Sequence, residues 1–399
     1  MKILIIHHTG LMGGGTLSCF DIIKALEGNK HSIVLALPPG ESAARQLAKN
    51  NNINILNDTV VPLVFGHYNG GANILKVLIR ALPRLRYIKR WEKILRREKP
   101  DVVLLNSMIQ WPMISILKKL NIKSVCFVRE TIKGKRRGLI NRFIAAKLQN
   151  GTGVSFLSEF DKKQWDLPER VNQIVIPDVV DVDNYSNGIN KEDSRNILKL
   201  KNDVFYILYS GGMSKIKGAE TIVRALKHCK GKKIELLFLG NSGNDLLEAR
   251  GVKKIKYFTK ISFIKKLYRF IEENGMKDKV KFLGVQTNMN YWYSACDVVV
   301  FPAEEAHQAR PIYEAGVFKK PIIASDFPNY YEYLKPGVSG LVFKPGDHNE
   351  LAQAIENLYD NSVLYDDIGN NNYLLMDKFH NSKSVNKKVN NFIESINSL

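Results

Sequence analysis

A short polar stretch late in the chain, residues 303–316 (AEEAHQARPIYEAG), combines residue types that bind phosphate and sugar hydroxyls. It follows an apolar run, and Pro311 suits the first turn of a helix. Residues 308–310 would then present N–H groups at the helix N-terminus, and Arg310 would add a charged fork. Glu314, one turn inside that helix, could reach ribose hydroxyls. The pattern indicates either a phosphate site or an exposed, capped helix start.

Two glycine-rich stretches also follow apolar runs. They are HHTGLMGGGTLSCF, with glycines at 13–15, and YILYSGGMSKIKGAETIVRAL, with glycines at 211–212. Glycines let the backbone approach a ligand, and a helix N-terminus offers N–H groups to an anion. Lys215 and Lys217 would complete a phosphate clamp. Neither stretch is a dinucleotide fingerprint or a Walker loop, so nicotinamide and ATP sites are not favoured. A single glycine-rich loop could equally be a plain tight turn, but one loop in each half makes a phosphate clamp more credible than either loop alone.

Apolar runs separated by helical patterns must position these loops. Near-continuous apolar strands of this kind predict parallel sheets that are covered on both faces. The candidate strands are KILII, SIVLAL, INIL, DVVLLN, SVCFVR, GVSFL and QIVIP in the first half, and VFYILYSG, IELLFLG, VKFLG, DVVVFP, PIIASD and GLVF in the second. We therefore predict two doubly wound, Rossmann-like α/β domains that face a cleft, with ligands beyond the carboxyl ends of the strands.

A polar segment at 177–203 lacks a strand and marks the break between the halves. We predict an N-terminal domain over 1–180, a linker over 181–203 and a C-terminal domain over 204–380. The tail at 381–399 has the pattern of an amphipathic helix, and we expect it to return to the first domain.

Length and composition fit this organisation. The 399 residues exceed the usual size of one domain, and hydrophobic residues make up 45%. Cys19, Cys126, Cys229 and Cys296 are scattered, so neither a zinc cluster nor a disulfide framework is expected. The start MKILIIHH is too short for a signal peptide, and no run approaches the ~18 apolar residues of a membrane span. We expect a cytoplasmic protein.

The charge is strongly positive, because 59 Lys and Arg outnumber 39 Asp and Glu. Such a surface attracts polyanions. Residues 73–100 hold ten Lys or Arg against two Glu, with apolar residues at helical spacing. This predicts a basic amphipathic helix that lies on an anionic membrane surface or packs on its own sheet with a solvated basic face. No aromatic-rich basic motif supports nucleic-acid binding, which we do not expect.

Together these segments resemble the retaining glycosyltransferases of family 4, which have the GT-B fold. The similarity covers roughly 204–360: YSGGMSKIKGAETIVRAL resembles the family's glycine–lysine loop, and VKFLGVQTNMNYWYSACDVVVFP its strand, helix and strand before the donor site. EAHQARPIYEAGVFKKPIIASDFPNYYEYLKPGVSGLVF resembles the donor segment itself. The N-terminal half is similar mainly through GGGT, as expected if it binds a variable acceptor.

The resemblance implies that a UDP-sugar or GDP-sugar donor docks on the C-terminal domain, without a metal or other cofactor. Lys217 would contact the diphosphate, Val285 would lie near the base, the amides at 308–310 would hold the distal phosphate and Glu314 the ribose. The candidate catalytic residues are Lys217, Arg310 and Glu130. The candidate donor-binding residues are Gly14, Gly15, Gly211, Gly212, Lys215, Val285, His307, Gln308, Ala309 and Glu314.

Three positions depart from the family pattern. Ala306 stands where the family has Glu, Gly212 where it often has Arg, and Arg129–Glu130 follow the strand where it has His. The predicted activity is retaining, hexosyltransferase-type transfer to a glycan or lipid-linked glycan in capsule, lipopolysaccharide or wall-polymer synthesis, at the inner face of the membrane. The alternatives are a non-catalytic nucleotide-sugar binder and a GT-B-type sugar-nucleotide epimerase.

Overall fold

The chain folds into two compact units in a computed structural model that describes residues 1–28, 31–57, 87–132, 138–186, 188–229, 231–248, 250–251, 255 and 257–399. Unit 1 comprises Met1–Val179 and Ser382–Leu399, and unit 2 comprises Val180–Asn381. Each unit contains one six-stranded sheet flanked by helices. The predicted pair of doubly wound α/β domains is confirmed, whereas the cleft between them stays a prediction.

The sheet of unit 1 is parallel throughout, in the order β2-β1-β3-β4-β5-β6. Its strands are β1 (Lys2–Ile6), β2 (Ser32–Ala36), β3 (Val102–Leu105), β4 (Lys123–Val128), β5 (Gly153–Phe156) and β6 (Gln173–Val175). Every position of β3 and β5 is buried, as expected for a sheet covered on both faces. The predicted strand INIL does not form: its Ile55 makes an isolated bridge with Leu35.

The described helices of unit 1 cover both faces of this sheet. They are α1 (Gly14–Glu27), α2 (Ala43–Asn50), α3 (Ile88–Glu98), α4 (Trp111–Lys119), α5 (Leu139–Leu148), α6 (Glu159–Trp165) and the terminal helix (Ser382–Ser398). The terminal helix buries Phe392 and Ile396 in the core of unit 1. A Cβ on Gly153 would lie 2.6 Å from Ile396 Cδ1, so this glycine gives the helix room to approach the sheet.

The basic helix predicted over 73–100 is described only in part, since residues 73–86 lie outside the described residues. Within α3, Trp91, Ile94 and Leu95 are buried in the core of unit 1, while a row of basic side chains stays exposed. In this part the apolar stripe therefore packs on its own sheet and leaves a solvated basic face. None of the described helices is both long and apolar enough to span a bilayer.

The sheet of unit 2 is also parallel, in the order β12-β11-β10-β7-β8-β9. Its strands are β7 (Phe205–Tyr209), β8 (Ile234–Leu239), β9 (Val280–Gly284), β10 (Val298–Phe301), β11 (Ile322–Ser325) and β12 (Leu341–Phe343). All six strands correspond to the candidates of the second half of the sequence.

The described helices of unit 2 include two in the segment predicted as a linker. They are α7 (Val182–Ser186), α8 (Lys191–Ile197), α9 (Ala219–His228), α10 (Asn244–Leu247), α11 (Phe258–Glu273), α12 (Met289–Ala295), α13 (Arg310–Val317), α14 (His348–Asp360) and α15 (Ser362–His380). In α8, the buried Arg195 pairs with Asp297 at 2.7 Å and donates to the carbonyl of Ala295. The structure groups residues 181–203, predicted as a linker, with unit 2.

Each sheet has one switch point, where successive strands stop being added on one side and begin on the other. In unit 1 this point lies between β1 and β3, and in unit 2 between β7 and β10. Ligands of doubly wound sheets bind beyond the carboxyl ends of the strands at such points. The glycine-rich stretches follow β1 and β7, and the polar stretch 303–316 follows β10, so all three flank a switch point.

Candidate functional site

The two candidate phosphate-binding segments of unit 2 contact each other at its switch point. Gly218 lies directly against the carbonyl of Pro302, where a Cβ would collide. The N–H of Glu304 donates to the carbonyl of Ile216 at 2.8 Å, and the hydroxyl of Thr221 lies 3.2 Å from the Glu304 carboxylate. The glycine–lysine loop and the start of the 303–316 stretch therefore form one continuous surface.

The glycine loop needs its glycines for steric reasons. Gly212 has φ +62°, and a Cβ there would lie 2.9 Å from the backbone nitrogen of Asn241. An L-residue would be strained in this conformation and would push the neighbouring loop away. A Cβ on Gly211 would collide with the ring of Tyr209. The arginine that the resembled family often carries at the position of Gly212 cannot be accommodated without moving the loop.

Lys215 and Lys217 stand exposed beside the start of α9. The N-cap of α9 is Gly218, at φ +76°, and no side chain caps the helix. Surrounding protein desolvates the Lys217 ammonium and lowers its pKa, although the residue as a whole is exposed. An anion bound beside it would offset that desolvation. The loop therefore presents two cations and a helix N-terminus together.

The second segment leads into α13, whose N-cap is Ala309 and which also lacks a capping side chain. Pro311 lies in its first turn, as predicted. His307 Nδ1 lies 2.7 Å from the carbonyl oxygen of Glu305, so Nδ1 carries the proton, and the ring packs against Phe301. The side-chain amide of Asn329 donates to the carbonyl of His307. Side chains on both sides thus fix the backbone that leads into residues 308–310.

Glu314 and Arg310 form a buried ion pair on α13. Arg310 Nε lies 2.8 Å from Glu314 Oε1, and the hydroxyl of Tyr293 donates to Glu314 Oε2 at 2.6 Å. Arg310 was predicted as a charged fork for phosphate, but four residues of helix place it on the Glu314 carboxylate. Its charge is thus balanced within the protein. The pair holds Glu314 in one orientation, and the catalytic role of Arg310 stays a prediction.

Val285, predicted to lie near a base, directly follows β9 and is 71% exposed. The N–H of Gly240 donates to the carbonyl of Gly284 at 2.7 Å, which joins this strand end to the loop after β8. Val285 therefore lies at the same edge of the sheet as the two contacting segments. Its role in base binding stays a prediction.

In unit 1, the predicted glycines open α1 at the carboxyl end of β1. Gly13 is the N-cap, Gly14 and Gly15 are the first two helical residues, and no side chain caps the helix. A Cβ on Gly13 or Gly15 would meet nothing within 4 Å. The surrounding fold does not demand glycine at these two positions, which fits a place where a ligand approaches the backbone.

Behind these glycines lies a network of buried polar side chains. His7 Nε2 lies 3.0 Å from the hydroxyl of Thr16, which itself donates to the carbonyl of Leu11. Asn106 Nδ2 lies 3.0 Å from His7 Nδ1 and 2.8 Å from the carbonyl of Gly15. Together these contacts make His7 a donor at Nε2 and an acceptor at Nδ1. Burial, then the charges of nearby groups, lower the pKa of His7 to about 3, so it is neutral at pH 7.

Arg129 extends the same network. Its Nε donates to Asn106 Oδ1 at 2.8 Å, and its Nη1 pairs with Asp178 Oδ1 at 2.6 Å. Ser18 also donates to that carboxylate. Arg129 stands where the resembled family has a histidine, but here it is a buried structural cation with a balanced charge.

Glu130, predicted as a catalytic residue, points into unit 1. Its carboxylate accepts hydrogen bonds from the hydroxyl of Ser107 and from the N–H groups of Met108 and Arg129. It is 6% exposed, and burial raises its pKa. These hydrogen bonds hold the turn after β3, and the catalytic role of Glu130 stays a prediction.

Residues 190–375 match the family described as "Glycosyl transferases group 1". This half of the chain resembles group 1 glycosyl transferases. The matched segment lies within unit 2 and includes the glycine–lysine loop and the whole of α13.

Two curated proteins are similar over part of the chain. One is a D-inositol 3-phosphate glycosyltransferase of Paenarthrobacter aurescens (strain TC1), 24% identical over 201 residues, which are 49% of this chain and 45% of that protein. The other is the capsular polysaccharide biosynthesis glycosyltransferase CapM of Staphylococcus aureus, 26% identical over 175 residues, 43% of this chain and 41% of that protein. The chain thus spans less than half the length of either relative.

Solved structures are similar over nearly the whole chain. The Anabaena protein HepE in complex with UDP-glucose has a TM-score of 0.78 at 18% identity and covers 99% of this chain and 100% of its own. Sucrose-phosphate synthase from Thermosynechococcus elongatus has a TM-score of 0.76 at 16% identity, with 99% of each chain covered. At these identities the likeness shows the fold alone, which is that of GT-B glycosyltransferases.

The sequence did not predict the roles of several residues at or near the two switch points. Asn106 directly follows β3 and Asp178 comes soon after β6. A polar residue just beyond a buried strand was the available signal for both. Tyr293, which holds Glu314, sits in the helical run YWYSA, and no feature of that run indicates its role.

Proposed function

We propose that this chain is a retaining glycosyltransferase of family 4 type that moves a hexosyl group from a UDP-sugar or GDP-sugar to a glycan or lipid-linked glycan. The observation that carries the proposal is the contact between the glycine–lysine loop and the segment before α13 at the switch point of unit 2. The same residues lie in the segment that matches the group 1 family. A role in cell-surface polysaccharide synthesis is supported by the name of CapM.

Sugar transfer requires a departing nucleoside diphosphate, on which negative charge grows. Fixed cations and N–H dipoles placed at that charge lower the barrier. We assign this role to Lys217 and Lys215 and to the N-termini of α9 and α13, with His307, Gln308 and Ala309 forming the backbone of the second segment. The leaving phosphate would take the proton of the acceptor hydroxyl on the same face. No metal or other cofactor is part of the proposal.

Glu314 is the proposed ribose acceptor. Each carboxylate oxygen can accept more than one hydrogen bond, so the bonds from Arg310 and Tyr293 leave capacity for ribose hydroxyls. The buried pair fixes the carboxylate in one orientation before the donor binds. Gly14 and Gly15 are proposed to contact the diphosphate from unit 1.

A donor panel tests the proposal directly. Thermal shift with UDP-, GDP- and ADP-sugars is expected to show stabilisation by one base class, because a ligand that binds only the folded state raises its stability. Release of the free nucleoside diphosphate is then measured with the stabilising donor and candidate glycan acceptors. No stabilisation by any nucleotide sugar would overturn the proposal.

Ala306 supports a second candidate, a protein that binds nucleotide sugar without turnover. The resembled family carries Glu at this position, and Glu304, two residues earlier, already accepts from Thr221. Stabilisation without release of nucleotide, even with acceptors present, would favour this candidate. Conversion of the donor into its epimer would instead identify an epimerase.

We further propose peripheral attachment to the inner, anionic face of a membrane through the basic face of α3. Lys89, Arg90, Lys93 and Arg96 are exposed on it, and each cation near an anionic leaflet contributes about 1 kcal/mol. Because the apolar side of α3 is buried, this attachment is electrostatic.

Liposome co-sedimentation checks the attachment through α3. We expect binding to increase with anionic lipid, to decrease with salt, and to weaken in Arg90→Gln/Lys93→Gln. The matched control is Lys387→Gln/Lys388→Gln, which removes two exposed charges from the terminal helix. Equal loss in both double variants would show that only total charge matters.

A further inference from the structure

Unit 2 carries an exposed apolar patch that the site above does not use. Ile255, Tyr257 and Phe258 are 79%, 36% and 66% exposed. Phe258 begins α11 and the other two residues lie just before it; we call these three residues the 255–258 patch. Single exposed apolar residues are common on protein surfaces, but three large ones within four sequence positions favour an interaction site.

The sequence that contains the patch is strongly basic. Residues 250–271 contain eight Lys or Arg and no Asp or Glu. On α11 itself, Lys260, Lys265, Lys266 and Arg269 are exposed. Exposed aromatic and aliphatic side chains surrounded by cations match the interface of an anionic bilayer, where rings enter the headgroup region and cations meet lipid phosphates.

The patch is not a misplaced part of the core. Further along α11, Ile261, Ile264, Leu267 and Ile271 are buried in the core of unit 2, so the helix already has its inward face. A Cβ on Gly243 would lie 2.5 Å from Ile264 Cδ1, and the hydroxyl of Tyr268 lies 3.2 Å from the carbonyl of Ser242. These contacts fix α11 against the loop after β8 and leave its first residues at the surface.

The position of the patch relates it to the candidate site. The loop after β8 also touches the glycine loop, because the N–H of Met213 donates to the carbonyl of Asn241 at 2.7 Å. Since α11 follows β8 and precedes the parallel strand β9, its N-terminus lies at the carboxyl edge of the sheet. The patch and the glycine–lysine loop therefore share one edge of unit 2.

We propose that the 255–258 patch inserts into the interface of an anionic bilayer and holds the site edge of unit 2 at the membrane. The inference deepens the membrane part of the proposed function without depending on nucleotide-sugar turnover. It differs from attachment through α3, whose apolar side chains are buried and whose contribution is charge alone. The patch contributes apolar insertion, which persists in salt.

Insertion is read directly with a tryptophan probe. Phe258→Trp is expected to shift its fluorescence to the blue with vesicles of phosphatidylcholine and phosphatidylglycerol, and to be quenched by brominated acyl chains. The signal of the four native tryptophans is subtracted with the unmodified protein. The matched control is Leu374→Trp on α15, at a position that is 63% exposed, and it should show neither change. Equal responses of the two probes would overturn the proposal.

Affinity is measured by co-sedimentation with the same vesicles. Ile255→Ser/Phe258→Ser is expected to weaken binding about tenfold or more, because burial of each large apolar side chain is lost. Val363→Ser/Leu374→Ser removes two residues of similar exposure from α15 and should bind normally. In high salt the unmodified protein should retain residual binding that Ile255→Ser/Phe258→Ser lacks. Unchanged binding of that variant would overturn the proposal.

Two further measurements identify other occupants. Concentration-dependent self-association that disappears in Ile255→Ser/Phe258→Ser would make the patch an interface between copies of this chain. Binding of single-stranded RNA that depends on Phe258 would assign the patch to nucleic acid. Stabilisation by nucleotide sugars should be the same in Ile255→Ser/Phe258→Ser and the unmodified protein, so failure of the membrane inference stays distinguishable from failure of the proposed function.

Discussion

The switch points of the two units share a topology but differ in what their polar groups do. In unit 1, His7, Asn106 and Arg129 follow their strands and bond one another or neighbouring side chains. In unit 2, the loop after β7 consists of close-packed glycines with Lys215 and Lys217 exposed beside them. At the switch point of unit 1 the polar side chains bond one another, whereas at that of unit 2 two lysines stay accessible to a ligand.

The difference separates positioning from binding. Arg129 is neutralised by Asp178, and His7 is uncharged, so neither adds net charge at the edge of unit 1. Among the described residues, no carboxylate lies within ion-pairing distance of Lys217. A cation binds an anionic ligand best when no internal carboxylate already neutralises it. A buried ion pair gains little binding free energy from a further anion. We therefore expect a diphosphate to bind to unit 2 and not to the switch point of unit 1.

Arg129→Met disrupts the buried polar network of unit 1 and should have the largest effect on stability. It leaves Asp178 buried without its cation, which typically costs about 3–5 kcal/mol. Urea unfolding followed by tryptophan fluorescence suits this test, because Trp91, Trp111 and Trp165 lie in unit 1. Lys233→Met breaks an exposed pair with Asp203 in unit 2 and should leave the unfolding midpoint unchanged. Similar midpoints for the two variants would show that the network of unit 1 is not specially stabilising.

Gly218→Ala tests the contact that joins the two segments of unit 2. The new Cβ would collide with the carbonyl of Pro302 at φ +76°, and we expect a loss of about 2–4 kcal/mol from backbone strain and overpacking together. Gly231→Ala has the same positive φ, at +77°, with nothing within 4 Å of its Cβ. It should lose only about 1–2 kcal/mol, the strain alone.

The comparison of these two glycines is made by urea unfolding followed by circular dichroism. Gly218→Ala should also lose its stabilisation by nucleotide sugars, whereas Gly231→Ala should keep it. Equal destabilisation of the two variants would mean that the segments are not held together at Gly218.

Lys217→Ala tests the exposed lysines at the switch point of unit 2. A charge-assisted phosphate contact contributes about 1.5–3 kcal/mol, so turnover should fall roughly 10–100-fold. Stability should change little, because the residue is exposed. Lys201→Ala removes another exposed lysine of unit 2 and should preserve turnover. Normal turnover of Lys217→Ala would place the cation of the site elsewhere.

The strands were predictable because a strand buried on both faces is written as a run of apolar residues. DVVVFP became β10 and DVVLLN became β3 for this reason. The run INIL has similar letters, yet Ile55 pairs at a single position, at the edge beside β2. Composition alone does not distinguish a run that makes one bridge from a run that forms a full strand.

The glycine loops were predictable because glycine has a visible conformational role. The partners of charged side chains were not, since a carboxylate such as Glu130 points inward or outward according to tertiary packing. The spacing of Arg310 and Glu314 was the missed signal, because residues four apart on a helix face each other. That spacing favoured an ion pair over two independent ligands, as the structure shows.

His7→Gln tests the buried network of unit 1 through its pH dependence and should have the smallest effect at pH 7, where His7 is neutral. His7 is fully buried, and its pKa is lowered from 6.5 to about 3, so the unfolded chain binds a proton at a higher pH than the folded one. The contribution of neutral His7 to the free energy of unfolding is therefore fully present above pH 6.5. It is lost as the pH falls towards 3, by up to about 1.4 kcal/mol per pH unit. His8, with a pKa lowered to about 4, should add a second contribution over much of the same window. Glutamine retains a donor and an acceptor for Thr16 and Asn106 but does not titrate. Urea unfolding between pH 7 and pH 4.5 should thus give a shallower decline for His7→Gln, with the slope attributed to His8 remaining. A decline identical to that of the unmodified protein would mean that the pKa of His7 is not lowered in the folded state, and unit 1 would then gain a cation at its switch point at acidic pH.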